Sequence, residues 1–187
     1  MILVEFAKQV KRLTSNFFFR RTVRQISIRG RLAIGLHCFA SACKCRGLLE
    51  HPEIQLFLDH MWRLIGPDGA NFVEWEQANP LLVNTGLGYE TPPGFSAFLA
   101  SKSVTEVDFR ELLSNLVEVV YWNAYGATDN GKTLEYLMAT VESACRWGGK
   151  CPEPNRFEKS RWADKYGWGN NLSATELAEW RCSAEEI

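Results

Sequence analysis

Histidine is scarce in this chain, three residues in 187, and no stretch free of charged side chains exceeds 13 residues. Each shortage excludes something. A bilayer-crossing helix needs roughly 20 consecutive apolar residues, whereas the longest uncharged runs, Leu32 to Cys43 and Gln77 to Tyr89, stop at 12 and 13. No H-E-x-x-H, G-x-S-x-G or P-loop pattern occurs, so zinc-hydrolase, serine-hydrolase and phosphate-cradling chemistry has no motif to start from. Gly86-Leu-Gly88 lacks the third glycine and the preceding strand of a dinucleotide site. Strict apolar/polar alternation is nearly absent, which removes the usual signal of a half-buried strand. Paired metal-ligand spacing is also missing: Cys43-x-Cys45 and Cys145-x5-Cys151 are the nearest approaches to a zinc pattern.

What is present is the composition of a folded domain: 46% hydrophobic, 23% charged and 12% aromatic. At this length one domain over 1–187 is expected. Apolar residues recur at helical spacing. Ile2, Phe6, Val10, Leu13 and Phe17 share one helix face, and Leu32, Leu36, Phe39 and Cys43 share another, stopped by Gly47 in a left-handed cap. Pro52 opens a third helix with Ile54, Phe57, Leu58, Met61 and Ile65, closed by the turn Gly66-Pro67-Asp68-Gly69. Asn71-x-x-Glu74, Thr105-x-x-Asp108 and Ser173-x-x-Glu176 are capping signals. The second precedes Phe109, Leu112, Leu113, Leu116 and Val120; the third precedes Leu177 and Trp180. Leu134, Leu137, Met138, Val141 and Cys145 form a further stripe, ended by Gly148-Gly149. Residues 79–96 read as a long irregular Gly/Pro-containing loop, with a small hairpin conceivable within 77–101. Residues 150–172 read as an ordered loop anchored by Phe157, Trp162, Tyr166 and Trp168. The expected fold is an all-α, irregular single-domain helical bundle with a loop-rich C-terminal third.

The opening Met1-Ile-Leu-Val-Glu5 puts apolar residues before charges, which is not the order of a secretory signal. Residues 1–31 hold eight Lys or Arg and one acid, as a transit peptide would, but their apolar stripe runs on into the domain. A cytoplasmic location is expected. Cys38, Cys43, Cys45, Cys145, Cys151 and Cys182 are then expected as reduced thiols, several packed as small hydrophobes, with no metal and no cofactor.

No catalytic residue stands out. His37 lies beside an apolar stripe and reads as a buried, satisfied histidine; His51 flanks a helix start. Asp59 and His60 are neighbours that face different directions on a helix, and Glu74 and Glu76 diverge at i, i+2. Neither Cys145 nor Cys151 sits in a pattern that would activate a thiolate. The chain is expected not to be an enzyme.

Charge is strongly divided beneath a net of −1. Residues 1–46 carry a net of +9, residues 47–142 a net of −10, and the Trp-rich residues 143–187 cancel. Either the two layers meet as surface pairs worth little each, or one pole steers a charged partner. An acidic working pole would suit a basic partner such as a nuclease. A basic one would suit nucleic acid or an anionic membrane surface, although Phe17-Phe18-Phe19 beside Arg20-Arg21 reads more as a helix end tucked into the core than as a base-stacking platform. Trp75, between Glu74 and Glu76 and just before the Pro-containing segment ending in Tyr89-Glu90, has the composition of an interface anchor. The same spacing also allows a Trp facing inward with both acids outward.

Arg31-Leu-Ala-Ile-Gly-Leu-His-Cys-Phe39, His51-Pro-Glu-Ile54 and Phe57-Leu-Asp-His-Met-Trp62 resemble the opening half of small bacterial immunity proteins of polymorphic and contact-dependent growth-inhibition toxin systems. Phe157-Glu-Lys-Ser160, Gly167-Trp-Gly169, Leu172-Ser-Ala-Thr-Glu176 and Trp180-Arg181 extend the likeness towards the C-terminus. The resemblance implies cytosolic neutralisation of a cognate toxin C-terminal domain by direct binding, with no catalytic or binding residues carried over. Combined with the acidic middle, it makes a basic toxin domain the expected partner, with no direct role for membrane or nucleic acid. Asp59, Asp68, Glu74, Trp75, Glu76, Tyr89 and Glu90 are the candidate contacts.

Overall fold

A computed structural model describes residues 17–182. Helix α1 covers residues 17–23, α2 Ile28–Cys45, α3 Pro52–Ile65, α4 Phe72–Gln77 and α5 Leu81–Gly86. They are followed by α6 Phe95–Ser101, α7 Glu106–Tyr121, α8 Asn130–Arg146 and α9 Ala174–Cys182. Single 3-10 turns lie at Pro67–Ala70, Pro154–Phe157 and Lys165–Gly167. The described residues hold no sheet, only an isolated bridge between Ile26 and Arg161. The fold is all-α. The stripe from Ile2 to Leu13 lies outside the described residues.

Helix α2 is the centre. Fifteen of its 18 residues are buried, as expected of a helix apolar on every side. Helices α3, α7 and α8 pack around it. Ser27 caps its start, accepting from the Gly30 N–H at 3.2 Å. Its end is a left-handed Gly47 (φ +65°), with Leu48 N–H bonded to Cys43 O and Gly47 N–H to Lys44 O, the pattern that satisfies the last carbonyls. At Gly35 a side chain would meet Leu116 Cδ1 at 2.7 Å, so glycine is what lets α7 approach α2 this closely.

Several expectations need correction. Residues 79–96 are not one loop, and no hairpin forms there: Pro80 starts α5, which buries Leu82 and Val83. Gly86 brings α5 against Val117 of α7. Between α5 and α6 only residues 87–94 are irregular. The inward face of α8 is Thr133, Leu137, Thr140, Ser143 and Ala144, while Met138 is half-buried and Cys145 exposed. Small side chains win that face because α8 lies close to α2 at Gly35, where Leu137 and Thr140 are neighbours. Phe17 and Phe18 are each 64% exposed; α1 turns Phe19 and Val23 inward instead, one helical turn apart. Two members of the basic N-terminal layer, Arg29 and Arg31, are buried and so are withdrawn from direct contact with a partner.

His37 is buried, its Nε2 2.8 Å from Trp180 O and its ring edge-on to Trp62. His60 Nε2 lies 2.9 Å from Asn79 Oδ1. Burial lowers both from 6.5 to about 4. The unfolded chain therefore takes up these protons first, so the stability they contribute is complete above about pH 6.5 and is lost as pH falls towards 4. For His37 the full loss is of the order of 3 kcal/mol. Urea midpoints measured at pH 7, 6, 5 and 4 should fall progressively, and a flat profile over that range would contradict the burial of both rings.

Candidate partner-binding face

The seven candidate residues do not form one cluster. Asp59 is exposed on α3 and pairs with Arg181 of α9. Asp68 is exposed in the turn before α4, 3.9 Å from Arg63. Tyr89 and Glu90 lie beside the start of α7: Arg110 Nη1 donates to Tyr89 O at 3.0 Å, and Thr85 Oγ1 donates to Glu90 O at 3.0 Å. Glu74 and Glu76 sit near the other end of α7, since Trp75 between them packs on Tyr121. Arg110 and Tyr121 are separated by about 16 Å of helix. The candidates within 59–90 thus fall at four places: Asp59 on α3, Asp68 in the turn after it, Glu74 to Glu76 on α4, and Tyr89 with Glu90 beside the start of α7.

Trp75 is a correction. It is 3% exposed, its ring stacked on His60 at 4.5 Å and its Nε1 donating to His60 O at 2.8 Å. The indole needs that acceptor once buried, and it cannot serve as a surface anchor. The acids beside it do point outward: Glu74 is exposed and Glu76 half-buried. Among the described residues neither makes an ion pair.

A different aromatic group adjoins Glu76. The Tyr125 hydroxyl donates to Glu76 Oε1, which holds its phenol proton more firmly than usual. Tyr125 is 76% exposed, and its ring meets Phe72 edge-on at 6.2 Å. Phe72 in turn touches Trp168 at 6.1 Å. Two residues before Trp168, Tyr166 is 92% exposed, and its carbonyl accepts from Thr128 Oγ1 at 2.6 Å. Segments 72–76, 121–128 and 165–168 therefore converge on one face of exposed aromatics, exposed Val73 and carboxylates.

The backbone under Tyr166 is strained. Lys165 and Tyr166 both have left-handed φ, 49° and 56°, a conformation costing about 1–2 kcal/mol for each non-glycine residue. Its neighbours enforce it. Gly167 N–H and Gly169 N–H both bond to Asp164 O. Gly167 packs on Trp162 and Thr128, and Gly169 on Ser27 and Ser160, with no room for a side chain at either. Below them Arg29 Nη1 donates to Trp168 O at 3.2 Å and to Gly169 O at 2.9 Å.

Tyr125 and Tyr166 are not among the residues singled out from the sequence, where Tyr166 reads as an anchor of its loop. The doublet of glycines around Trp168 is the one local sign that the chain there leaves ordinary backbone space. Among the described residues no group of three or more His, Cys, Asp or Glu could hold a metal ion, and no helix is long and apolar enough to cross a membrane. Comparison of the chain with known protein families, with curated proteins and with solved structures finds no match.

Proposed function

We propose that this protein binds and neutralises a basic toxin domain, as an immunity protein would, and does so without being an enzyme. The observation that carries the reading is the strained display of Tyr166 at the edge of an acid-bearing aromatic face. Strain of this kind persists where surrounding structure enforces it, and it clusters at ligand clamps. A backbone already fixed beneath an exposed tyrosine leaves less freedom to lose on binding, which suits it as an anchor. The carboxylates of Glu74 and Glu76, which make no ion pair among the described residues, suit a cationic partner, chiefly by speeding encounter. A basic partner, a nuclease among them, would meet complementary charge here. The rival reading, nucleic acid or anionic lipid held by the basic N-terminal region, loses two of its cations to the interior at Arg29 and Arg31.

The test is kinetic and needs a cognate toxin domain, which an adjacent reading frame for the C-terminal region of a large secreted protein would supply. Tyr166→Gly should raise the dissociation rate about 30-fold, the equivalent of 2 kcal/mol. Because glycine accepts a left-handed φ freely, the same change should leave stability unchanged or raise it by up to about 1 kcal/mol. Glu74→Lys with Glu76→Lys should slow association about tenfold at low salt and less at high salt. Wild-type rates in both variants would remove this face from the interface. Salt-sensitive binding of DNA or anionic vesicles by the protein alone would favour the rival.

A further inference from the structure

The turn after α8 runs along α2 in register. Cys45 Sγ donates to Gly148 O at 3.3 Å. A side chain at Gly149 would lie 2.9 Å from the Ala42 nitrogen. Lys150 N–H bonds to Ser41 Oγ at 2.9 Å. One residue further on, an extended chain advances about 3.5 Å, while one turn back along α2, from Ser41 to Cys38, is about 4.5 Å. The register therefore places Cys151 opposite Cys38, with the Cys151 thiol donating to Pro152 O at 3.6 Å. Cys38 is fully buried and Cys151 half-buried. Cys151 also lines a cavity of about 840 Å³, together with Met138, Val141 and Arg146.

We propose that Cys38 and Cys151 are a redox-modification site that closes to a disulfide when a small-molecule disulfide enters this cavity. Access sets the order of events. Cys151 loses its proton to solvent, and its sulfur attacks one sulfur of the incoming disulfide, breaking that S–S bond and releasing one thiolate. Cys38 then attacks the Cys151 sulfur of the mixed disulfide. The second thiolate leaves, and the two released thiolates take up the two protons. The two cysteines are oxidised by two electrons and the reagent is reduced to two thiols. Burial and the adjoining Cys151 keep Cys38 protonated, so Cys151 reacts first; Cys38 gives up its proton before its sulfur attacks the mixed disulfide. The bridge would fasten the turn after α8 to the middle of the central helix. Since the two residues are far apart in sequence, it would restrict the unfolded chain strongly.

The full-length native protein, treated with oxidised glutathione, alkylated and mapped by mass spectrometry, tests this. The expected product has lost two hydrogens and contains a peptide pair joined through Cys38 and Cys151. Its urea midpoint should be higher, returning to the starting value after dithiothreitol. Cys38→Ser should stop at one glutathione on Cys151, and Cys145→Ser should still form the bridge. If Cys38→Ser fails to fold, Cys151→Ser replaces it, with Cys38 expected to stay unbridged. A bridge from Cys151 to Cys145, or recovery of all six thiols unchanged, would overturn the assignment.

Discussion

Replacing Arg29 by Met should destabilise the protein by about 3–5 kcal/mol, the range seen when a buried charge network loses one member. The Arg29 guanidinium donates to four backbone carbonyls: Leu64 at 3.1 Å, Trp168 at 3.2 Å, Gly169 at 2.9 Å and Gly69 at 3.3 Å. It also lies over the Trp168 ring, 5.7 Å from its centroid. All four acceptors are neutral. Burial lowers the pKa of the group to about 10, which still leaves it charged at neutral pH. Each charge-assisted bond contributes about 1.5–3 kcal/mol, and each carbonyl left buried without a donor costs about 1–3. Release of the charge's own desolvation offsets part of this, which is why the expected net is well below the sum. Lysine would restore the charge without the planar fork, so Arg29→Lys should recover less than half the loss. Hydrogen exchange should quicken first at 167–169, and with it the display of Tyr166 should fail. A loss under about 1 kcal/mol, with that loop still protected, would mean the carbonyls find water instead.

Trp75→Ala should cost a comparable amount, about 3–5 kcal/mol, through the cavity it leaves. The ring contacts His60, Phe72 and Tyr121 at centroid distances of 4.5, 5.3 and 5.7 Å. Trp75→Phe would keep most of that packing and lose the bond to His60 O, worth about 1 kcal/mol, while that carbonyl keeps its helical donor inside α3. A second readout separates packing from a surface role. Uncovering His60 admits water to its ring, so its pKa should rise from about 4 back towards 6.5. The acid-induced fall in stability would then be shallower in Trp75→Ala than in the wild type. Faster toxin dissociation from a variant that unfolds at the wild-type urea concentration would instead return Trp75 to the interface.

The helices were largely legible in the sequence because the forces that define them are local. Thr105, Ser173 and Asn71 each accept from the backbone N–H three residues on, and α7 buries the Phe109 to Val120 stripe that its spacing announces. Gly47 stops α2 for a reason contained in one residue. Helix α5 is not legible in the sequence because six residues between Pro80 and Leu87 are too short to display a period. The inward face of α8 differs from its apolar stripe because such a stripe ranks residues by hydrophobicity, whereas the close approach at Gly35 selects by size.

The candidate site was legible only as a surplus of acid. Glu74 and Glu76 are outward as i, i+2 neighbours of a buried residue must be, yet which of the three faces inward depends on His60, Phe72 and Tyr121. Tyr125 reaches Glu76 across 49 positions of sequence. Tyr166 is exposed because Arg29, 139 and 140 positions away from Trp168 and Gly169, holds their carbonyls from below. Local sequence thus determined where helices start, stop and bury an apolar stripe, since propensity and capping act within a few residues. Which tryptophan is core, which arginines are interior and which tyrosine stands in solvent was decided only by tertiary structure. Those outcomes depend on hydrogen-bond partners and steric neighbours that the fold alone brings together.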